Sequence, residues 1–159
     1  MNQNTKKIQE NCKLEDVCQV DLSDVYHFNQ IVSAEFRNPS LNNKLSYGFS
    51  FRTRGGDTGE KVIIRVPSKN LYYYKSGTTG DPNLGITNDV KYISNEKNKI
   101  QVILKEYSGY IFINDEFQNE INIGTSGKGL TRAISHFFTN DDDINRGDVE
   151  ISEINLFYY

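Results

Sequence analysis

Several features are scarce in this sequence, and two of these scarcities argue against particular classes of protein. The 159 residues include no Trp, one Met and three Pro. The 18 Lys and Arg are outnumbered by 21 Asp and Glu, so the chain lacks the basic footprint of a nucleic-acid-binding protein. No apolar run approaches the roughly 20 residues that span a bilayer, and no signal-peptide pattern is seen at the N-terminus. The length fits one domain with a buried core.

Cysteine is also scarce, with only Cys12 and Cys18 present. These two thiols do not make a zinc site, because His27 and His136 are distant in sequence. Two reduced thiols are the simpler interpretation, and a local disulfide, which requires an oxidising compartment, is the alternative. Localisation is equally open: a native Met1 predicts a cytoplasmic protein, whereas an excised domain predicts an extracellular one.

What the sequence does contain is alternation between apolar and polar side chains. It is clearest in residues 99–117, where two alternating stretches flank Ser108-Gly109 and are followed by Asn114-Asp115. Alternation with a period of two, bounded by Gly and Asn-Asp, predicts a β-hairpin with turns at these two dipeptides. The 10 Tyr and 9 Phe of the chain also favour sheet over helix. We predict that three side chains of the first strand point into a core: Ile100, Val102 and Leu104.

The same alternation predicts strands along most of the chain. The predicted buried parities comprise Tyr26, Phe28, Val32, Ala34 and Phe36, then Tyr47, Phe49 and Phe51, then Val62, Ile64 and Val66. In the strand of residues 71–75, Tyr72 and Tyr74 share one face, opposite Leu71 and Tyr73. Residues 76–88 are predicted to be a loop because they are rich in Gly, Thr and Asn.

Three shorter segments complete the prediction. Val90–Ile93 is expected to be a short strand. Leu130–Phe138 fits a helix as well as a strand, and only its strand-rich surroundings decide for a strand. In residues 149–159 the apolar parity slips between Ile151 and Ile154, which indicates a β-bulge near Ser152-Glu153. Residues 1–20 are predicted to be a polar N-terminal tail or edge strand, and residues 21–159 a single β-sandwich domain.

About ten short strands with regular turn signals are typical of an antiparallel sandwich or barrel. The segments LSYGFSFR, NKIQVILKEYSGYIFINDEF and DVEISEINLFYY resemble the concanavalin A-like lectin/glucanase superfamily, especially its laminin G-like and 3-keto-disaccharide-hydrolase-like domains. Those domains carry a Tyr-Gly-Phe-x-Phe-Arg strand, a hairpin with Asn at its tip and an aromatic closing strand. Tyr47–Arg52, Asn114 and Ile151–Tyr159 match these places. The resemblance implies an all-β, antiparallel two-sheet jelly roll that serves as a ligand-binding accessory module.

Carbohydrate is the first ligand to consider for such a module, because aromatic rings stack on sugars and planar polar groups bond their hydroxyls. Tyr72 and Tyr74 share a parity, while Arg52 and Gln101 occupy the polar parity of their own strands. These four residues are the predicted ligand-binding residues. The alternative is that the tyrosines only pack in the core or at the sheet rim.

Calcium is an alternative ligand of one acidic loop. Asp141, Asp143, Asn145 and Asp148 supply hard oxygen ligands there. Their spacing resembles a calcium loop, but Gly147 falls one place late for an EF-hand. A solvated acidic turn explains the same residues, and no other cofactor is predicted.

Two further functions compete with sugar binding. Some enzymes of this fold carry Glu-x-Asp-x-x-Glu, and Asp148–Glu153 has that spacing with the first two acids exchanged. A bulge would bring Glu150 and Glu153 to one face, as glycoside hydrolysis requires. The position of this segment at the end of the chain and the lack of Trp argue against an enzyme. A protein-interaction or sensor domain of a larger protein remains as the second alternative.

Overall fold

The computed structural model describes residues 6–8, 17–22, 29–37, 45–53, 59–65, 69–75, 83–91, 96–123, 129–137 and 149–158. All regular structure within these ranges is β-strand. The strands are β1 (Lys6–Ile8), β2 (Val17–Asp21), β3 (Gln30–Arg37), β4 (Leu45–Thr53), β5 (Glu60–Arg65), β6 (Asn70–Tyr74), β7 (Asn83–Ile86), β8 (Lys97–Lys105), β9 (Ser108–Ile113), β10 (Glu116–Asn122), β11 (Leu130–Phe137) and β12 (Val149–Tyr158).

The strands form two six-stranded sheets, and every neighbouring pair is antiparallel. The order in the first sheet is β1-β12-β3-β8-β9-β10, and in the second it is β2-β11-β4-β5-β6-β7. Late strands therefore insert between early ones, β12 beside β3 and β11 beside β4. The predicted all-β, two-sheet jelly-roll sandwich is confirmed.

The core lies between the two sheets and is built from one parity of each strand. Phe36 of the first sheet packs against Tyr47 and Phe49 of the second, with ring centroids 5.2 Å apart in both pairs. Alternating side chains from facing sheets fill such a core. Complete burial of a large apolar side chain contributes about 1.5–3 kcal/mol. The predicted inward parities are confirmed at Val32, Ala34, Phe36, Tyr47, Phe49, Phe51, Val62, Ile64, Ile100, Val102 and Leu104, and the same core also contains Leu71, Tyr73, Ile111 and Ile113.

The predicted hairpin is present, but its first turn lies two residues earlier than expected. β8 ends at Lys105 and the turn is Glu106-Tyr107, with Glu106 at φ 53°. Gly109 instead lies inside β9 opposite Ile121, where a Cβ would approach Ile121 Cγ1 to 2.8 Å. The glycine is therefore explained by close packing between strands rather than by a turn.

The second turn, Asn114-Asp115, is as predicted. Both residues have positive φ, 50° and 70°, which is the geometry that favours Asn and Asp in two-residue hairpins. Asn114 Oδ1 also accepts a hydrogen bond from the Lys99 backbone N–H at 2.9 Å. This side chain therefore ties the tip of the β9–β10 turn to β8.

Two short predictions differ from the structure over the residues that it describes. The segment predicted as a loop contains β7, which pairs with β6 and accommodates Gly85 at φ 114°. Val90 is buried, but residues 87–91 form no strand, and residues 92 and 93 of the predicted strand lie outside the described residues. The Asn98 side chain bonds the backbone there in place of a neighbouring strand. The Lys91 N–H donates to Asn98 Oδ1 at 2.7 Å, and Asn98 Nδ2 donates to the Lys91 carbonyl at 3.0 Å.

Two further sequence patterns have clear outcomes. β11 is a strand inside the second sheet, between β2 and β4, so the helical alternative for this segment is excluded. The predicted bulge in β12 is confirmed by a register shift against β3 between Ser152 and Asn155, with Glu153 at φ 50°. Tyr26, Phe28, Val66, Cys12 and the side chain of Cys18 lie outside the described residues. Among the described residues there is no helix with the length and hydropathy needed to span a membrane.

Candidate functional site

The outward parity of the second sheet carries a group of polar and aromatic side chains. Strands β5 and β6 contribute Lys61, Arg65, Tyr72 and Tyr74, and β11 contributes Arg132. These residues alternate with core residues along their strands, so they point away from the interior. We refer to this surface as the outer face of the second sheet.

Two tyrosines and one arginine form the centre of this face. The rings of Tyr72 and Tyr74 are stacked, with centroids 6.0 Å apart and planes inclined by 17°. Arg65 Nη1 donates to the Tyr72 hydroxyl at 3.1 Å and Nη2 donates to the Tyr74 hydroxyl at 3.0 Å. Its Cζ lies 4.1 Å from the Tyr72 ring centroid, a cation–π distance. A single guanidinium therefore fixes both phenols.

The surroundings hold Tyr72 more firmly than Tyr74. Asn70 Nδ2 donates a further hydrogen bond to the Tyr72 hydroxyl at 3.0 Å. Tyr72 is only 4% exposed and packs with Ile63 and Ile134 in a small apolar cluster on this face, whereas Tyr74 is half-buried. Tyr74 is therefore the more exposed residue of the pair, and Tyr72 supports it.

A second arginine lies toward the opposite edge of the same face. Arg132 Nε donates to Asp21 Oδ1 at 2.5 Å, and Nη1 donates to Gln19 Oε1 at 2.9 Å. The Arg132 side chain is 15% exposed, whereas that of Asp21 is 58% exposed. The pair is therefore open to competition from a ligand on the side of Asp21.

Strand register places four of these positions in one row across the sheet. Arg132 is opposite Ser50, Ser50 is opposite Lys61, and Lys61 is opposite Tyr74. Ser50 is 1% exposed, and its Oγ has no hydrogen-bond partner in the described part of the chain. The neighbouring β4 position on this face is Gly48, where a Cβ would lie 2.0 Å from the Val62 carbonyl oxygen. The middle of the face therefore bears small residues that are buried.

The structure brings together two of the four predicted ligand-binding residues. Tyr72 and Tyr74 share the outer face of the second sheet. Gln101 of β8 alternates with buried Ile100 and Val102, which puts it on the outer face of the first sheet, on the opposite side of the molecule. It therefore does not lie with the tyrosines.

Arg52 is also separated from the tyrosine pair. It has φ 57° and is 2% exposed, and its Nη2 donates to the Glu106 carbonyl of the first sheet at 2.9 Å. Burial lowers the pKa of its guanidinium, while the nearby Glu60 and Tyr73 oppose this shift. The left-handed backbone at Arg52 breaks the alternation of β4 and turns the side chain into the sandwich.

The metal and enzyme alternatives involve the last part of the chain. The predicted calcium ligands lie outside the described residues: Asp141, Asp143, Asn145 and Asp148. Among the described residues there is no group of three or more potential metal ligands. Glu150 accepts a hydrogen bond from Arg37 Nε at 2.7 Å, and Glu153 lies at the bulge of β12. These two carboxylates belong to the first sheet, away from the tyrosine pair.

The sequence interpretation did not single out Lys61, Arg65, Arg132 or Ser50. A signal for Arg65 was present, because the inward parity of Val62 and Ile64 leaves it on the outward face of the same strand. The contribution of Arg132 required knowing that β11 inserts beside β4, which joins segments distant in sequence.

Comparisons with known proteins concern the fold. No family model matches the sequence, and no curated protein matches it. Among solved structures, the carbohydrate-binding module CBM66 from Bacillus subtilis is similar over 96% of this chain and 94% of its own, with 7% identity and a TM-score of 0.70. Sheep galectin-11, in complex with glycerol, is similar over 92% of this chain and 100% of its own, with 12% identity and a TM-score of 0.55.

A third similar structure is a larger protein, a fructosyltransferase from A. japonicus. It covers 99% of this chain at 11% identity and a TM-score of 0.62, but the chain spans only 27% of the fructosyltransferase. At these identities the similarity establishes the fold. The chain therefore has the fold of a jelly-roll β-sandwich.

Proposed function

We propose that this chain is a non-catalytic carbohydrate-binding module, and that its glycan binds on the outer face of the second sheet. The observation that carries the proposal is the Arg65 guanidinium, which bonds both the Tyr72 and the Tyr74 hydroxyls at about 3 Å. Small-ligand sites combine apolar ring surface with a few fixed polar groups, and this arrangement supplies both.

The three side chains have different roles in the proposed site. The half-buried ring of Tyr74 stacks against the apolar face of a sugar ring. Arg65 holds the phenol in place, so little side-chain entropy is lost on binding. Tyr72 supports the stack from below, since it is nearly inaccessible to solvent.

The acidic residues of this face support a non-catalytic role. Asp21 is the only acidic residue that the described strands place on the outer face of the second sheet, and it is paired with Arg132. Glycoside hydrolysis by the usual mechanisms requires two carboxyl groups on either side of the scissile bond. The similarity to CBM66 and to galectin-11 over almost their whole lengths is consistent with binding without cleavage.

Titration against a panel of soluble oligosaccharides and polysaccharides tests the proposal. We expect Tyr74→Ala to weaken binding at least about tenfold, or ~1.4 kcal/mol, because the stacking surface is lost. Phe117→Ala is the matched control: Phe117 is 56% exposed but belongs to β10 of the other sheet, so binding should be unchanged. Absence of binding across the panel, equal effects of both variants, or release of reducing ends would each overturn the proposal.

A further inference from the structure

The outer face of the first sheet carries an apolar row that crosses four strands. Phe157 of β12 is opposite Ile31 of β3, and Ile31 is opposite Ile103 of β8. Ile103 is in turn opposite Tyr110 of β9. All four alternate with residues that lie in the core or pack against it, so they point away from the interior. Phe157 is 55% exposed, and the other three are partly exposed.

An aromatic pair extends this row on one side. Phe112 lies two residues after Tyr110 on β9 and contacts Phe117 of β10, with ring centroids 5.6 Å apart. Phe117 is itself 56% exposed. Contiguous apolar side chains at the surface, unlike scattered ones, mark an interaction site. We call these six residues the first-sheet patch: Ile31, Ile103, Tyr110, Phe112, Phe117 and Phe157.

We propose that a second copy of this chain covers the first-sheet patch, so that two chains form a two-fold symmetric dimer through their first sheets. The order of side chains in the row indicates this partner. From Phe157 to Tyr110 the row reads aromatic, Ile, Ile, aromatic, which is the same in both directions. A two-fold contact requires a self-complementary surface of this kind.

The row also gives the orientation of the second copy. A copy turned about an axis parallel to the strands, midway between β3 and β8, places its own row on this one in reverse order. Ile31 then meets the partner's Ile103, and Phe157 meets the partner's Tyr110. Two sheets stacked in this way pack with their strands nearly aligned, as the two sheets inside each sandwich do.

The charges beside the patch permit this contact. Three cations on this face each form an ion pair with a carboxylate of the same chain. The pairs are Arg37–Glu150, Lys97–Glu35 and Lys99–Asp115. Although the chain has a net charge of −3, these pairs are neutral, so a second copy meets no excess of like charge here.

The size of the face is sufficient for a stable dimer. The patch spans the five strands from β12 to β10, and β3 at its centre has 8 residues. At the usual strand spacing and rise, such a face is about 24 Å wide and about 27 Å long. Contact over this area would bury ~650 Å² per copy, or ~1,300 Å² in total, within the range of specific interfaces.

Dimerisation would also fix how the two second sheets are placed. Each copy has its first and second sheets on opposite sides of the core. Contact through the first sheets therefore leaves both outer faces of the second sheet uncovered, on opposite sides of the dimer. The inference thus does not depend on the proposed sugar-binding function and does not obstruct it.

Sedimentation velocity over a wide range of protein concentration tests the dimer. We expect the wild-type chain to change from monomer to dimer as its concentration rises. Ile103→Glu should weaken the dimer at least about tenfold, because each copy would bury a carboxylate against an apolar partner. Ile86→Glu is the matched control: Ile86 is 72% exposed on β7 of the second sheet, so dimerisation should be unchanged.

Cross-linking tests the orientation and does not require Ile103→Glu to fold. In chains with Cys12→Ser and Cys18→Ser, one sample carries Phe157→Cys and another carries Tyr110→Cys. These two positions lie about 14 Å apart within one chain but face each other between copies. A short bismaleimide should therefore link the mixed samples into dimers far more efficiently than either sample alone.

Three results would each overturn the inference. They are a chain that stays monomeric at every concentration, a dimer that a folded Ile103→Glu variant leaves intact, and equal linking of mixed and unmixed samples. Thermal unfolding shows whether the Ile103→Glu variant is folded. None of these measurements uses a glycan, so failure to bind sugar overturns only the proposed function.

Discussion

Arg52 Nη1 lies 4.0 Å from Glu60 Oε2, and both side chains are completely inaccessible to solvent. Arg52 also donates to the Glu106 carbonyl of the opposite sheet, so this pair joins the two sheets inside the sandwich. Two opposite charges buried together are tolerable, whereas one alone is costly because it has lost its hydration without a compensating partner.

The first prediction concerns this buried pair. We expect Glu60→Ala to lower the free energy of unfolding by about 3–5 kcal/mol, because it leaves the Arg52 guanidinium buried without its carboxylate. The double variant Arg52→Met/Glu60→Met should be substantially more stable than Glu60→Ala, since no isolated charge remains. Urea denaturation measures both. A double variant no more stable than Glu60→Ala would contradict this account.

The second prediction is an alkaline loss of stability that depends on Tyr47. Burial raises the pKa of the Tyr47 phenol above its ordinary value of 10.0, against the smaller effect of the hydrogen bond from Asn98. The unfolded chain therefore releases this proton at a lower pH than the folded chain. The stabilisation is complete below about pH 10 and is lost as the pH rises further.

Tyr47→Phe removes this dependence. We expect the unfolding free energy of wild type to fall more steeply above about pH 10 than that of the variant, by up to ~1.4 kcal/mol per pH unit. At neutral pH the variant should be about 1 kcal/mol less stable, because Asn98 Nδ2 loses one acceptor. Denaturant titrations over a pH series measure both effects, with Tyr107→Phe as the exposed control. Identical slopes for wild type and Tyr47→Phe would contradict the assignment.

The third prediction concerns the close approach of β9 and β10. A Cβ at Gly109 would lie 2.8 Å from Ile121 Cγ1 and 3.0 Å from Cδ1. Gly109→Ala should therefore destabilise the fold by about 1–3 kcal/mol. Ile121→Ala removes both of these carbons, so adding it to Gly109→Ala should cost less than it costs alone in wild type. The coupling in this double-mutant cycle should reach about 1 kcal/mol, and strictly additive effects would contradict the packing explanation.

Alternation in the sequence predicted the core well, because each strand buries one face only. Phe49 and Phe51 of β4 and Val62 of β5 lie inward as their parity requires. The same rule failed at Arg52, where a left-handed backbone rotates a side chain of the polar parity into the interior. No local pattern distinguishes that arginine from one pointing outward, since its partners Glu60 and Glu106 come from β5 and from the turn between β8 and β9.

The candidate site could also be predicted from the sequence only in part. Parity along one strand was sufficient to place Tyr72 and Tyr74 together. The row from Arg132 to Tyr74 depends instead on the order of β11, β4, β5 and β6, which topology alone determines. Gly109 illustrates a further limit: a glycine beside a turn predicts the turn, but here the cause is the Ile121 side chain on a neighbouring strand.

The irregular pairing of two outer strands has a consequence for self-association. β7 and β10 each end a sheet as described, and each meets its neighbour with a register shift. β10 also carries Glu116 and Glu120. The irregular, charged border at β10 is therefore a poor template for adding a strand from another molecule. Neighbouring copies of the chain should therefore not join through β10 into a continuous fibrillar sheet.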